Sequence, residues 1–269
     1  MSYIGILLLV GLSAIIIQLS RYAATFMPVN IINLNRSKDR LNAIVLQCYM
    51  YGIPYTRHPA VDGNTHVYTD DEKILLFKLA LQRQNNIKSH TFKHTPEEQI
   101  ELYKRWESKD IATFKKTKRI MACSLSHIQV WNTYKYTADP YIMILEDDGK
   151  LNSHMRQHVN TCIRRLDTFD PDWHIVWLSG KDPKDREQVL HWNYYNVYRM
   201  DPPTYVGQGA GAYILSRKGI KHFLQILEKE GCGDAADYFL FNTLVVKHAY
   251  GVHPPLVDIH HNTTPSTIV

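Results

Sequence analysis

Short apolar runs alternate along the chain with stretches in which apolar residues recur every three or four positions. The runs are typical of strands buried on both faces, and the periodic stretches of amphipathic helices. Strands are predicted at residues 29–34, 55–61, 141–145, 175–178 and 212–215, and helices at 38–51, 122–136, 155–166, 217–227 and 237–246. Because the two kinds of element alternate, the pattern predicts an α/β fold with a mostly parallel central sheet.

Two parts of the chain depart from this alternation. Residues 64–118 are polar and rich in helix-forming residues, so we expect a helical excursion whose charged side chains face solvent. The segment after residue 246 is rich in histidine and proline and is expected to be an irregular tail. The chain shows no internal repeat and no interdomain linker, so residues 25–269 are expected to form one domain.

The most apolar segment comes first, at residues 4–19. Its length approaches the roughly 17–20 residues that cross a bilayer, and the basic start of a cleaved signal peptide is missing. We therefore expect an uncleaved single-pass membrane anchor at residues 1–24. Its orientation stays open. The basic residues that follow the anchor favour a cytosolic domain, whereas Asn35 and Asn262 begin glycosylation sequons that would matter in a lumenal one.

The amino-acid composition excludes few classes of function. With 45% hydrophobic and 21% charged residues, the chain can bury a full core. The net charge of +5 favours anionic ligands such as nucleotide phosphates, but the surplus is spread along the chain. No nucleic-acid recognition motif is present, and nucleic acid is not an expected partner. The four cysteines lack C-x-x-C spacing and are expected to be buried free thiols.

The clearest candidate chemistry is an acidic triplet, Glu146-Asp147-Asp148, directly after the predicted strand 141–145. Three adjacent carboxylates repel one another unless a cation compensates, and this end of a strand is where open α/β sheets bind ligands. Oxygen ligands suit Mg²⁺ or Mn²⁺, with Glu146 and Asp148 holding the ion against a diphosphate. A solvated acidic turn is the alternative interpretation of the triplet alone.

Six segments, taken in order, resemble glycosyltransferase family 25, which includes enzymes of lipopolysaccharide synthesis and procollagen glycosylation. No single segment is diagnostic, but the ordered set spans nearly everything from Pro28 to Val269. The departures are an excursion at 64–118 longer than in bacterial members and the absence of the usual Gly before Cys123. The segments are INLNRS at 32–37 with Asp39 and Arg40, HPAVDG at 58–63, ACSLSH at 122–127 with Trp131, ILEDD at 144–148, GAYILSRKG at 211–219 and DYFL at 237–240.

The resemblance implies a GT-A-like fold and an inverting hexosyltransferase that uses Mn²⁺ or Mg²⁺ and a UDP-sugar, with galactose or glucose as the expected sugar. The expected acceptor is a hydroxyl group of a glycan or protein, of hydroxylysine or lipopolysaccharide type. Asp237 is the candidate general base, with Asp234 as its substitute. The expected metal ligands are Glu146, Asp148 and His260. The expected donor-binding residues are Asn33, Arg36, Arg40, Asp62, Gly63, Ser126, His127 and Asp147.

Several of these residues also have plain structural interpretations. The arginines Arg36 and Arg40 suit phosphate but are also ordinary surface charges at a helix start. Asp62 and Gly63 line a nucleotide pocket or form a turn in which Gly takes a positive φ. His127 is a donor-pocket residue or a core histidine. Arg217 and Lys218 reach phosphate or cap a helix, and Asp237 is a base or a carboxylate favoured by a helix dipole.

Two other functions stay open. A metal-dependent phosphoryl hydrolase or nuclease would use Glu146, Asp148 and Lys150, although a second acidic cluster with clear spacing is missing from the sequence. A membrane-tethered sugar-binding protein without activity would keep the fold but has no need of the acidic triplet. The sequence gives no physical argument for a particular sugar or acceptor.

Overall fold

The computed structural model describes residues 26–85, 94–109, 111–180, 186–200, 209–233, 235–242 and 248–259. Ten strands and eight helices are defined within these ranges. The strands are β1 (Val29–Asn33), β2 (Tyr55–Pro59), β3 (Tyr141–Glu146), β4 (Gly149–Leu151), β5 (Ile175–Trp177), β6 (Gln188–Trp192), β7 (Tyr195–Arg199), β8 (Ala212–Ser216), β9 (Ala249–His253) and β10 (Val257–Ile259). The helices are α1 (Lys38–Met50), α2 (Asp70–Leu75), α3 (Phe77–Asn85), α4 (Pro96–Lys109), α5 (Ile111–Tyr134), α6 (Met155–Phe169), α7 (Arg217–Glu230) and α8 (Ala236–Asn242).

Eight strands form one mixed sheet in the order β2-β1-β3-β8-β5-β9-β7-β6, and β4 pairs with β10 separately. Strands β1, β2, β3, β5 and β9 run in one direction, whereas β8 and β7 run antiparallel to their neighbours. The register pairs Asn33 with Pro59 and Ile32 with Glu146. The carboxyl ends of β1, β2 and β3 therefore meet at one edge of the sheet.

Helices cover both faces of this sheet, and strand β3 shows how its sequence supplies both cores. Because side chains alternate across a strand, Ile142 and Ile144 belong to one apolar cluster, and Met143 and Leu145 to the other. The first cluster includes buried residues of α5 and α7, and the second includes buried residues of α1 and α6. Each such buried aliphatic side chain contributes about 1.5–3 kcal/mol of transfer free energy, which accounts for the continuous apolar run.

The α/β class and the mostly parallel sheet are confirmed, with two corrections to the predicted elements. Helix α5 begins at Ile111, well before the predicted start at residue 122, because Phe114, Thr117 and Met121 are buried at helical spacing between exposed lysines. The expected irregular tail is wrong, since β9 lies between β5 and β7 in the sheet and β10 pairs with β4.

The predicted anchor at residues 1–24 lies outside the described residues, as do His260 and Asp234. None of the helices within the described ranges combines the length and hydrophobicity that crossing a bilayer requires. The division into an anchor and a domain at 25–269 with an excursion at 64–118 stays a prediction.

Candidate active site

A cleft opens at the edge of the sheet where β1, β2 and β3 end. Helix α5 forms the opposite wall of the cleft. It follows the helices of the 64–118 region and leads the chain back to the sheet along this edge. Most of the predicted site residues line the cleft: Arg36, Arg40, Asp62, Gly63, Ser126, His127, Glu146, Asp147 and Asp148. Asn33 stands behind them at the end of β1 and contacts Asp147.

The acidic triplet is held by Arg40 from the first turn of α1. Arg40 Nη2 lies 2.8 Å from Asp148 Oδ2, and Arg40 Nε lies 3.2 Å from Asp147 Oδ1. Asn33 Nδ2 donates to Asp147 Oδ2 at 2.6 Å. The side chains of Arg40, Asp147 and Asp148 are only 16%, 10% and 13% exposed, so the ion pairs are largely shielded from water. Among the described residues, Asp147 thus has two side-chain partners and Asp148 has one.

Burial makes this charge costly. It raises the pKa of Asp147 and of Asp148, and the neighbouring Glu146 carboxylate raises both further, against the opposing effect of Arg40. Asp148 Oδ1 is buried and has no hydrogen-bond partner among the described residues. A carboxylate oxygen left in this state is an available ligand for a hard divalent cation. Glu146, Asp148 and the cleft beside them therefore fit the Mn²⁺ or Mg²⁺ that the sequence predicted.

His127 connects the triplet to the core, and its role in donor binding stays a prediction. Its ring is buried, with Nδ1 2.8 Å from Tyr213 Oη and Nε2 3.2 Å from Glu146 Oε1. Trp131 Nε1 donates to the same Tyr213 oxygen at 3.0 Å. This network fixes the orientation of the imidazole and aims it at the carboxylate on β3.

Cys123 lies one helical turn before His127 and also lines the cleft. Its Sγ, a ring nitrogen of His127 and a carboxylate oxygen of Glu146 all lie within 4.8 Å of one another. Burial raises the pKa of the Cys123 thiol, and so do the charges of Glu146, Asp237 and Asp148. The sequence predicted a buried free thiol here. All four cysteines are free and the other three are buried, but Cys123 is partly exposed in the cleft.

The loop after β2 forms the third side of the cleft. Arg36 makes an ion pair with Asp62, and Arg119 Nε donates to Asn64 Oδ1 at 2.9 Å. Gly63 is not among the glycines with positive φ, so that explanation of the turn was wrong. Its lack of a side chain serves close packing instead, since a Cβ would lie 2.6 Å from Arg119 Cα.

Ser126 holds this loop against α5. The Val61 N–H donates to Ser126 Oγ at 2.9 Å, and the hydroxyl donates to Ala122 O at 2.7 Å. Both capacities of the hydroxyl are thereby used within the protein. The contacts indicate that Ser126 sets the width of the cleft between β2 and α5.

The remaining candidates divide by their position in the fold. Asp237 lies partly buried in the first turn of α8, near enough to raise the pKa of the Cys123 thiol. Arg217 and Lys218 follow Ser216, which pairs with Tyr141 at the opposite edge of the sheet. They bond to Asp139 O and Pro171 O there, so a phosphate role at this cleft is excluded for both.

Two cleft residues were missed by the sequence analysis. Arg119 directly follows the 64–118 excursion, whose charged side chains were expected to face solvent, but as part of the long helix α5 it lines the cleft. Cys123 was set aside as a core thiol, although it stands in the same ACSLSH segment as His127. Its spacing of four residues from His127, which puts both on one helical face, was the available signal.

Comparisons with known proteins agree with the segments that define the cleft. Residues 26–240 match the model of glycosyltransferase family 25 (LPS biosynthesis protein). A Haemophilus influenzae protein named "Putative glycosyltransferase" is 27% identical over 127 residues, which cover 45% of this chain and 40% of that protein. The match thus covers less than half the length of this curated relative.

Two solved structures are similar at a low level. A glycosyltransferase involved in the glycosylation of the major capsid of PBCV-1 has 10% identity and a TM-score of 0.30, covering 75% of this chain and 68% of that one. Mouse xyloside xylosyltransferase 1 in its apo form has 12% identity and a TM-score of 0.31, covering 79% and 67%. With TM-scores this low, neither structure bears on the function of this chain.

Proposed function

Because the chain belongs to glycosyltransferase family 25, we propose that it transfers a hexose from a UDP-sugar to a hydroxyl group of a glycan or protein acceptor, with inversion at the anomeric carbon. The observation that carries the proposal is the cleft in which Arg36 and Arg40 lie among four carboxylates, those of Asp62, Glu146, Asp147 and Asp148. A nucleoside diphosphate with a divalent cation offers this surface charges of both signs, which neither a neutral sugar nor a free anion does.

Glu146 and Asp148 are the residues that would hold Mn²⁺ or Mg²⁺ in this proposal, and His260 stays a predicted third ligand. When bound, the cation supplies Lewis-acid neutralisation of the charge that develops on the leaving diphosphate. The buried Asp148 Oδ1 supports this assignment, because it has no hydrogen-bond partner within the described part of the chain.

The arginines and the β2 loop would bind the rest of the donor. Arg36 and Arg40 each occupy an ion pair with a cleft carboxylate, and planar guanidinium groups can exchange such a partner for a phosphate oxygen. Asp147, held by Asn33 and Arg40, would orient the ribose. Asp62 and Gly63 would line the nucleotide pocket, with Ser126 keeping their loop against α5.

Asp237 is the proposed general base that takes the proton of the acceptor hydroxyl as the new glycosidic bond forms. Its position in the first turn of α8, from which its charge raises the pKa of the Cys123 thiol, supports this role. A GT-A-like arrangement and membrane attachment through residues 1–24 complete the proposal.

The test is calorimetric titration of UDP into the protein with Mn²⁺ or with EDTA. We expect Mn²⁺ to tighten UDP binding by at least about tenfold, a typical coupling between ligands that share a site. Glu146→Gln and Asp148→Asn should lose this enhancement. Lys218→Met, at the opposite edge of the sheet, is the matched control and should bind as the wild type does. If both acidic variants retained the Mn²⁺ effect, the assignment would be wrong.

Product analysis separates the competing functions. A transferase releases UDP from the UDP-sugar, whereas a phosphoryl hydrolase releases UMP and a sugar phosphate. For the base, Asp237→Asn should abolish turnover and leave UDP binding with Mn²⁺ intact. Loss of UDP binding in this variant would overturn the base role.

A further inference from the structure

We propose that Cys123, His127 and Glu146 form a three-ligand site for a thiophilic divalent cation of the Zn²⁺ class, with its fourth coordination position open to the cleft. Cys123 and His127 are four residues apart on α5, so their side chains project from the same helical face. The end of β3 brings the Glu146 carboxylate against them. The three ligand atoms lie within 4.8 Å of one another.

The distances suit a tetrahedral ion after a small adjustment. Zinc bonds of about 2.3 Å to sulfur and about 2.0–2.2 Å to nitrogen and oxygen put tetrahedral ligand atoms roughly 3.3–3.6 Å apart. His127 Nε2 and Glu146 Oε1 are already 3.2 Å apart. The thiol lies within 4.8 Å of both atoms, so the approach that remains is at most about 1.5 Å, and it requires a rotation of the Cys123 side chain.

The surroundings of His127 match those of a metal-binding histidine. In such sites the second ring nitrogen is held by a hydrogen bond that fixes the ring, and loss of that bond costs about 10–100-fold in metal affinity. His127 Nδ1 contacts Tyr213 Oη at 2.8 Å, and Trp131 Nε1 holds that oxygen from the other side. Nε2 is therefore the nitrogen directed at the site.

The ligand types indicate a different cation from the Mn²⁺ or Mg²⁺ proposed for sugar transfer. Sulfur and nitrogen select borderline ions such as Zn²⁺ or Co²⁺, whereas carboxylate oxygens alone suit Mn²⁺ and Mg²⁺. Both sites require Glu146, so occupation of one removes a ligand from the other. If the proposed function holds, Zn²⁺ bound at Glu146 inhibits sugar transfer by competing with Mn²⁺; this consequence rests on the proposed function. The existence of the site itself does not depend on that function.

The experiment uses Co²⁺ as a spectroscopic substitute for Zn²⁺ in the full chain. A thiolate ligand gives a sulfur-to-cobalt charge-transfer band in the near ultraviolet, and we expect this band in the wild type, with displacement by Zn²⁺. Cys123→Ala should lose the band. Cys48→Ala, which removes a thiol buried in the core between α1 and the sheet, is the matched control and should keep it.

A second variant covers the case in which the loss of Cys123 affects folding. Tyr213→Phe keeps the ring but removes the hydroxyl at His127, and it should weaken Co²⁺ binding by about 10–100-fold. A wild type without the band, a band that survives in Cys123→Ala, or unchanged affinity in Tyr213→Phe would each overturn the proposal. A Co²⁺ band in a protein that fails to bind UDP would support this site while refuting the proposed function.

Discussion

Arg40 is the residue whose removal should test the electrostatics of the cleft most directly. Arg40→Met keeps much of the side-chain volume and removes the guanidinium that pairs with Asp147 and Asp148. Breaking a buried ion pair costs about 3–5 kcal/mol, whereas exposed pairs contribute about 0–1 kcal/mol. With the three side chains 10–16% exposed, we expect a loss of about 3 kcal/mol in the free energy of unfolding near pH 7.5.

The loss should depend on pH with a defined sign. Burial raises the pKa of both aspartates in the folded protein, and removal of Arg40 raises it further because Arg40 opposes that shift. A carboxyl group with a raised folded-state pKa contributes stability at low pH that is lost as the pH rises through that pKa. The deficit of Arg40→Met should therefore be greatest near neutral pH and smaller at about pH 5.

Urea unfolding followed by circular dichroism, with EDTA or with Mn²⁺, measures this effect. Mn²⁺ should reduce the deficit, because a cation at Asp148 replaces part of the lost positive charge. Lys135→Met is the control: it breaks an ion pair with Glu228 whose side chains are 34% and 63% exposed, and because water screens exposed charges it should leave the free energy of unfolding nearly unchanged. Equal stability of Arg40→Met and wild type at neutral pH, or a deficit that grows on acidification, would refute the reasoning.

Two further predictions concern packing and pH. Gly63→Ala puts a Cβ 2.6 Å from the backbone of Arg119, so it should destabilise the protein by about 1–3 kcal/mol in urea unfolding and raise the KM for the donor. In the control Gly233→Ala the new Cβ meets no atom within 4 Å and should be neutral, and equal effects of the two substitutions would contradict the packing argument. Burial, with the nearby His222 and His248, lowers the pKa of His174 from 6.5 to about 4. The free energy of unfolding should therefore fall as the pH drops across that interval, and it should fall less in His174→Phe. An equal loss of stability on acidification in the variant and the wild type would contradict this.

The sequence predicted those parts of the fold whose pattern depends on burial. Strand β3 was recognised because its buried residues are consecutive, and helix α7 because its buried residues recur every three or four positions. Strands β6, β7 and β9 were missed. Their residues mix polar and aromatic types, and β9 acquires its central place only through pairing with β5 and β7, which is information that a local pattern does not contain.

Some residues of the candidate site could likewise be predicted from the sequence and others could not. The acidic triplet and the arginines could be predicted because charged residues at a strand end have few structural explanations. Cys123 and Arg119 could not be predicted from composition, since a thiol among apolar residues and an arginine among lysines are typical of a core and of a surface. Their role in the cleft follows from the direction of α5, which depends on the buried positions along its first three turns.

The cleft concentrates charge in a way that folding alone does not explain. Glu146, Asp147 and Asp148 raise one another's energy at the end of a buried strand, and Arg40 offsets only part of that cost, as the raised pKa values of both aspartates indicate. Neutral residues of similar size would fold with less strain, and such unfavourable groups persist in proteins mainly where function requires them. The absence of a hydrogen-bond partner at Asp148 Oδ1 among the described residues fits this explanation. On the proposed function, a cation and a diphosphate would together offset the unfavourable electrostatic energy of the cleft, so binding of either one should favour binding of the other.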